Sequence, residues 1–235
     1  MLFELLSGIR HGNVDFMMIV VNILASLVVI FLIMPFHEWA HAFTAYKLGD
    51  TGMKYRGRLT LNPIEHIDPI GALMIIFLGF GWAKPVPIDD RNFKNPKVGM
   101  GISALAGPVA NLLAAVAGGL IMSALFRFAP DFMAVNALGS FVNQAAEYIY
   151  LFLYYYISLN VVLAVFNLVP IPPLDGSKIL FMFLPDKWVS AIYKYERFFF
   201  LVIIAMLWFG ILPISTISNY VANFIMWLTG LPFGF

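Results

Sequence analysis

Three uninterrupted apolar runs constrain this 235-residue chain more than any other feature. The first is Phe16 to Phe36, continuing through His37-Glu38-Trp39-Ala40-His41 to about Leu48. The second runs from about Gly99 to Phe128 and the third from about Ala137 to Pro170, each with a single charge, Arg127 and Glu147. Each exceeds the ~20 residues a helix needs to cross a bilayer. In lipid every backbone N–H and C=O must be satisfied within the protein, so such runs fold as helices. Composition agrees: 61% of residues are hydrophobic and 11% charged, against about 45–50% and about 25% in soluble domains. That excludes an ordinary soluble domain, a disordered chain and a collagen-like fibre. The expected architecture is an all-α polytopic membrane protein with three core transmembrane helices.

A fourth apolar stretch, Phe198 to Leu231, carries no charge and is split by Pro213. It reads as a C-terminal helical hairpin. The segment Pro69–Trp82 is apolar but short and glycine-containing. It reads as re-entrant or interfacial, followed by a β-hairpin-like loop on the cytoplasmic side. No repeat or low-complexity tract divides the chain, so 1–235 reads as one membrane domain with its core at about 16–185. Residues 1–15 do not read as a cleaved leader, because cleavage after the first run would discard its His-Glu motif.

Charge sets the expected orientation. With three crossings and a final hairpin, loop 47–97 shares a side with 173–197. Together they hold twelve of the fourteen Lys and Arg; Arg10 and Arg127 remain opposite. Positive-inside places the basic side in the cytoplasm and the N-terminus outside. Net charge is only +1, so the basic residues serve topology and anionic headgroups, not nucleic acid.

There are no cysteines, so any metal must be held by His, Asp or Glu. His37 and His41 stand at i and i+4, one face of a helix, and can reach one ion. Glu38 lies beside the first imidazole, placed to reach a water without taking a coordination position. With four His and five Glu, a chance H-E-x-x-H is expected roughly 0.001 times per chain. Ionisable groups in hydrocarbon are costly and call for a partner or a function. Zinc suits imidazole and carboxylate, and a catalytic zinc takes three protein ligands. Candidates for the third are Asp50, Glu65, His66, Asp68, Glu147 and Asp175. Asp175 stands out, on the break made by Pro170, Pro172 and Pro173 after the third run. Irregular backbone at membrane depth is tolerated only around protein or a water-filled cavity. Its alternative role is an N-cap for the helix starting at Gly176. His66, with Glu65 and Asp68, is a second possible cluster or simply a polar loop. Parity favours Asp175, since two crossings return it to the side of His37 and His41. A full crossing by 69–82 would separate them.

His37-Glu-Trp-Ala-His41, Gly107-Pro-Val-Ala-Asn111 and Asn167-Leu-Val-Pro-Ile-Pro-Pro-Leu-Asp175-Gly176 together resemble the site-2 protease family of intramembrane zinc metalloproteases. Asn62–Gly71 and Gly81–Pro87 look like its compact prokaryotic branch. The likeness runs from about Ile30 to about Pro185. It implies one zinc per chain on His37, His41 and Asp175, with Glu38 as general base. It implies that Asn111 helps hold substrate or its oxyanion; Asn167 could likewise position substrate or tie two helices together. The implied activity is regulated intramembrane proteolysis of membrane-protein substrates in the plasma membrane of a prokaryote, with the active site toward the cytoplasm. The larger members' PDZ and CBS domains have no room here. A non-proteolytic zinc carrier or scaffold, and a soluble-type protease anchored by a helix, are the competing classes. A carrier would not need Glu38 between two ligands, a scaffold would be expected to lose one of the four residues, and a soluble-type protease would not set its motif within a lipid-spanning run.

The absence of cysteine makes orientation directly measurable. Cysteine at position 94 should stay unlabelled by an impermeant thiol reagent added outside intact cells and react once they are opened; labelling from outside would reverse the orientation.

Overall fold

The structure, a computed structural model, describes residues 16–78, 82–129 and 140–231. Among these residues the fold is helical with no strand. Helix α1 (Phe16–Val28) continues through a π-helical turn (Val29–Ile33) into α2 (Met34–Leu48). The wide turn has a cause in sequence. Pro35 cannot donate to a preceding carbonyl and its ring crowds the turn before it. An i→i−5 bond, Met34 N–H to Val29 C=O, opens that turn. The helix thus enters the His-Glu motif with its register reset.

Short α3 (Gly52–Tyr55) and α4 (Pro69–Leu78) lie between α2 and the long α5 (Pro96–Phe128). The α5 N-terminus is set by Asn95, whose side chain accepts from Val98 N–H, and by Pro96 at the first position. Next come α6 (Ser140–Asn167), α7 (Asp175–Phe181), α8 (Asp186–Lys194), α9 (Glu196–Trp208) and α10 (Ile214–Leu228). Three stretches are long and apolar enough to cross a membrane: Ile19–Leu48, Pro96–Phe128 and Gln144–Asn167. They are the three expected from sequence. The C-terminal stretch forms two helices of 13 and 15 residues with Pro213 between them.

Helix α5 is the hub, packed against α2, α6 and α7. Its inward face is mostly small: Gly101, Ala104, Gly107, Ala110, Ala114, Ala115 and Gly118 are buried. Small residues let helix backbones approach where lipid gives no hydrophobic drive. A β-carbon on Gly118 would stand 2.8 Å from the Tyr156 ring. Met122, Leu153, Ile157, Val161, Ile225 and Met226 form the core shared by α5, α6 and α10. A second cluster, Val29, Ile30, Ile33 and Ile75, joins the π turn to α4. Outward residues such as Leu32, Leu113 and Leu120 are more than half exposed, as a lipid-facing surface requires.

The polar stretch between α2 and α5 is built on side-chain-to-backbone bonds. Asp68 caps α4, accepting from the N–H of Ile70 and Gly71 at 2.9 Å each. Helix α4 has 10 residues, about 15 Å of rise, too short to cross alone. Residues 79–81, which include two glycines of the expected loop, lie outside the described residues, as does 1–15 with Arg10. Beyond them Ala83 forms one isolated antiparallel bridge with Ile67, and Lys84 N–H donates to the His66 carbonyl at 2.8 Å. The expected hairpin-like loop is thus reduced, among the described residues, to a single bridge. Pro85 and Pro87 lack the N–H groups a longer ladder would need.

Gly71 packs directly on this bridge. A β-carbon there would lie 1.9 Å from the Trp82 carbonyl oxygen. Backbone cannot yield as a flexible side chain can, so Gly71→Ala should cost roughly 2 kcal/mol. Thermal unfolding of the purified protein should shift down by several degrees while zinc content holds; an unshifted transition would show that the α4–Trp82 contact is loose.

Candidate metal centre

His37 and His41 lie on α2 and Asp175 is the first residue of α7. Their donor atoms converge. His37 Nε2 and His41 Nε2 are 3.0 Å apart. Asp175 Oδ2 is 3.3 Å from the first and 3.1 Å from the second. All three side chains are buried. Among the described residues, this is the group of three or more His and acidic side chains able to hold a metal ion. At zinc bond lengths near 2.1 Å, tetrahedral ligand atoms stand about 3.4 Å apart, so the observed spacings suit one ion.

The hydrogen bonding makes the same point. His41 Nδ1–H donates to the Ser103 carbonyl at 2.7 Å. That bond fixes the tautomer and leaves the Nε2 lone pair facing the cluster, the outer-shell arrangement of a metal-bound imidazole. A carboxylate and two imidazole nitrogens are a donor set that zinc accepts.

Two glycines make the convergence sterically feasible. A β-carbon on Gly107 would stand 2.3 Å from His41 Nε2 and 2.5 Å from His37 Nε2. Any other residue would put an atom against the donor atoms. On Gly176 it would meet the Leu168 carbonyl oxygen at 2.2 Å. Gly176 therefore lets α7 start against the last turn of α6, which aims Asp175 at the histidines. Asp175 does not serve as the N-cap; Leu174 occupies that position.

A cavity of about 470 Å³ opens on the cluster. Glu38, Asn111 and Asn167 line it together with the three ligand candidates. Asn111 is 1% exposed, and its Oδ1 has no hydrogen-bond partner among protein atoms. Asn167 Nδ2 donates to the Leu163 carbonyl at 3.0 Å, one turn back. Apart from Lys178, the other walls are apolar, among them Met34, Trp82, Val86, Leu163, Phe166 and Leu174. Phe200 and Ile203 of α9 also reach the cavity, with Phe200 edge-on to Trp82 at 6.1 Å.

The other candidates stand elsewhere. His66 is wholly buried and its Nε2–H donates to the Thr60 carbonyl at 2.7 Å. Asp68 is the α4 cap, and Asp50 is buried beyond the end of α2. Lys178 was not anticipated. Its Nζ is 3.5 Å from Asp175 Oδ1, and it lines the cavity. The i, i+3 spacing on a helix was the available signal.

A family model described as peptidase family M50 matches residues 25–210. YwhC of Bacillus subtilis, whose name proposes a zinc metalloprotease, is 38% identical over 200 residues, 84% of each chain. Rip2 of Mycolicibacterium smegmatis, named in the same way, is 29% identical over 176 residues, 73% of this chain and 61% of Rip2. Rip2 of Mycobacterium tuberculosis is 28% identical over 165 residues, 68% of this chain and 55% of that protein. No solved structure gives a significant match.

Alanine at His37, His41 or Asp175 should each lower the zinc bound by the purified protein, by 10-fold or more in affinity. Glu38→Gln should leave it nearly intact. Gly107→Ala should lower it without touching a ligand. Metal analysis decides; full zinc retention in Asp175→Ala would remove that carboxylate from the ligand set.

Proposed function

The chain belongs to peptidase family M50, the site-2 protease family of zinc metalloproteases, and from that membership we propose that it hydrolyses peptide bonds within transmembrane segments of membrane-protein substrates. The observation that carries this reading is the siting of the cavity. The metal-binding candidates and Glu38 line it at the end of a helix apolar enough to cross a membrane.

His37, His41 and Asp175 would hold the zinc. Bound there, zinc supplies Lewis acidity, polarising a carbonyl and bringing the pKa of water to near 7. Glu38 accepts the proton of the attacking water on its carboxylate and returns it to the leaving amine. Buried Asn111, with its carboxamide at the cavity wall, donates to the substrate carbonyl oxygen as negative charge grows there. Asn167 gives one N–H to Leu163, so its second N–H and its oxygen are left to position a substrate strand. Apolar walls exclude bulk water and accept the side chains of a membrane segment.

A helical substrate hides its peptide groups and must unwind locally before attack. Residues 82–88 give the extended segment a place to lie. The bridge to Ile67 uses the Lys84 N–H, and in a strand the Ala83 peptide groups then point to the opposite edge. An edge of this kind binds an extended peptide by main-chain hydrogen bonds. We place the protein in the plasma membrane of a prokaryote with the cavity toward the cytoplasm, since the basic loops flank it. We place α4 and residues 79–88 as a re-entrant element entering from that side.

Co-expression of the wild type and Glu38→Gln with a panel of single-span membrane proteins tests the activity. Fragments should arise with the wild type and fall by at least 10²-fold with the variant, the scale of a lost general base. Equal fragmentation by both would overturn the reading.

A further inference from the structure

Asp50 is a carboxylate for which the chemistry has no use, yet it is 0% exposed. Burying a charge without partners is costly. Here the partners are N–H groups. Oδ1 accepts from Gly52 N–H at 3.1 Å and from the Asn92 carboxamide at 2.9 Å. Oδ2 accepts from the Asp89 backbone N–H at 2.9 Å. Two of these three donors come from about forty residues downstream, in the turn that ends the cavity wall. Bonds to an ionised acceptor are the strong class.

The geometry around Asp50 closes the same joint. Gly49 ends α2 with φ +124°, and a β-carbon there would lie 2.8 Å from the Asn92 carbonyl. The turn therefore sits directly on the end of the helix. Arg56 donates to the Pro87 carbonyl. Val86 and Ile88 pack against the buried cluster of Ala42, Ala45, Met53 and Phe93 at the end of α2, and both line the cavity. Pro85 and Pro87 have no N–H by which the wall could be held. Side chains from 50–56 hold it instead. The Asp89 carboxylate is not part of this joint; it pairs with Arg91 at 2.8 Å.

Helix α2 also carries His37, Glu38 and His41, about 14–20 Å back along its axis from Asp50. We propose that Asp50 is a positioning residue: it fixes the wall Val86–Ile88 against the helix that bears the metal-binding histidines, and so sets the width of the groove in which an extended peptide lies. The consequence for substrate rests on the peptidase reading above; the clamp itself does not.

The test uses the full-length protein in lipid nanodiscs: wild type, Asp50→Asn and Asn92→Ala. Asp50→Asn keeps the shape but turns one acceptor into a donor facing the Asp89 N–H. Asn92→Ala removes one bond of three and leaves the charge. Zinc content should match the wild type in both. Amide exchange over 84–93 should quicken, by roughly tenfold in Asp50→Asn and by less in Asn92→Ala, with α5 and α6 unchanged. On a membrane-inserted reporter that the wild type cleaves, KM should rise several-fold while kcat changes less. Unaltered exchange over 84–93 in both variants overturns the clamp. So does zinc loss in step with faster exchange, which would make Asp50 a support of the metal helix. Should Asp50→Asn not fold, Asn92→Ala decides on the same exchange criterion. If the wild type cleaves no reporter, the peptidase reading falls, while exchange still decides the clamp.

Discussion

The candidate metal centre depends on the absence of a side chain at position 107. Helix α5 lies against two imidazoles whose nitrogens are 2.3 and 2.5 Å from where a β-carbon would be. Because the hub can approach that closely, the Ser103 carbonyl reaches His41 and fixes its tautomer. The same approach brings α7, which packs on α5, within reach of α2. The carboxylate and the imidazoles are thus joined through a helix that supplies no ligand of its own.

The long helices were legible because a bilayer permits so few backbone solutions. Apolar runs around 16–48, 99–128 and 137–170 became helices at nearly the same limits. His37 and His41 were legible by local spacing. Asp175 needed more: its proline break, the parity of crossings and the family likeness together. Asn111 was expected at the site, and it lines the cavity with an unpartnered oxygen.

What sequence left obscure was polar and irregular. Between α2 and α5 order comes from side chains bonding distant backbone: Asp50 to residue 89, Arg58 to the Glu65 carbonyl, His66 to Thr60. Such bonds have no periodicity, so no pattern announces them. The β-hairpin-like loop expected after Pro69–Trp82 is matched, among the described residues, by one bridge, and Pro85 and Pro87 have no N–H with which to extend it. Phe200 and Ile203 reach the cavity from a stretch of chain whose uniform apolarity gave no hint of an inward face.

Those prolines bear on turnover. A long, fully furnished peptide edge would hold an extended segment through many main-chain bonds, and its fragments would leave slowly. Among the described residues, Pro85 and Pro87 shorten the available edge to the neighbourhood of Ala83. Under the function proposed above, such a grip would steady one unwound stretch and still let the severed halves go. They also make the edge a poor template for another copy of the same chain. In a membrane crowded with hydrophobic segments, an enzyme working in the way proposed above would gain from an edge that few chains can occupy for long.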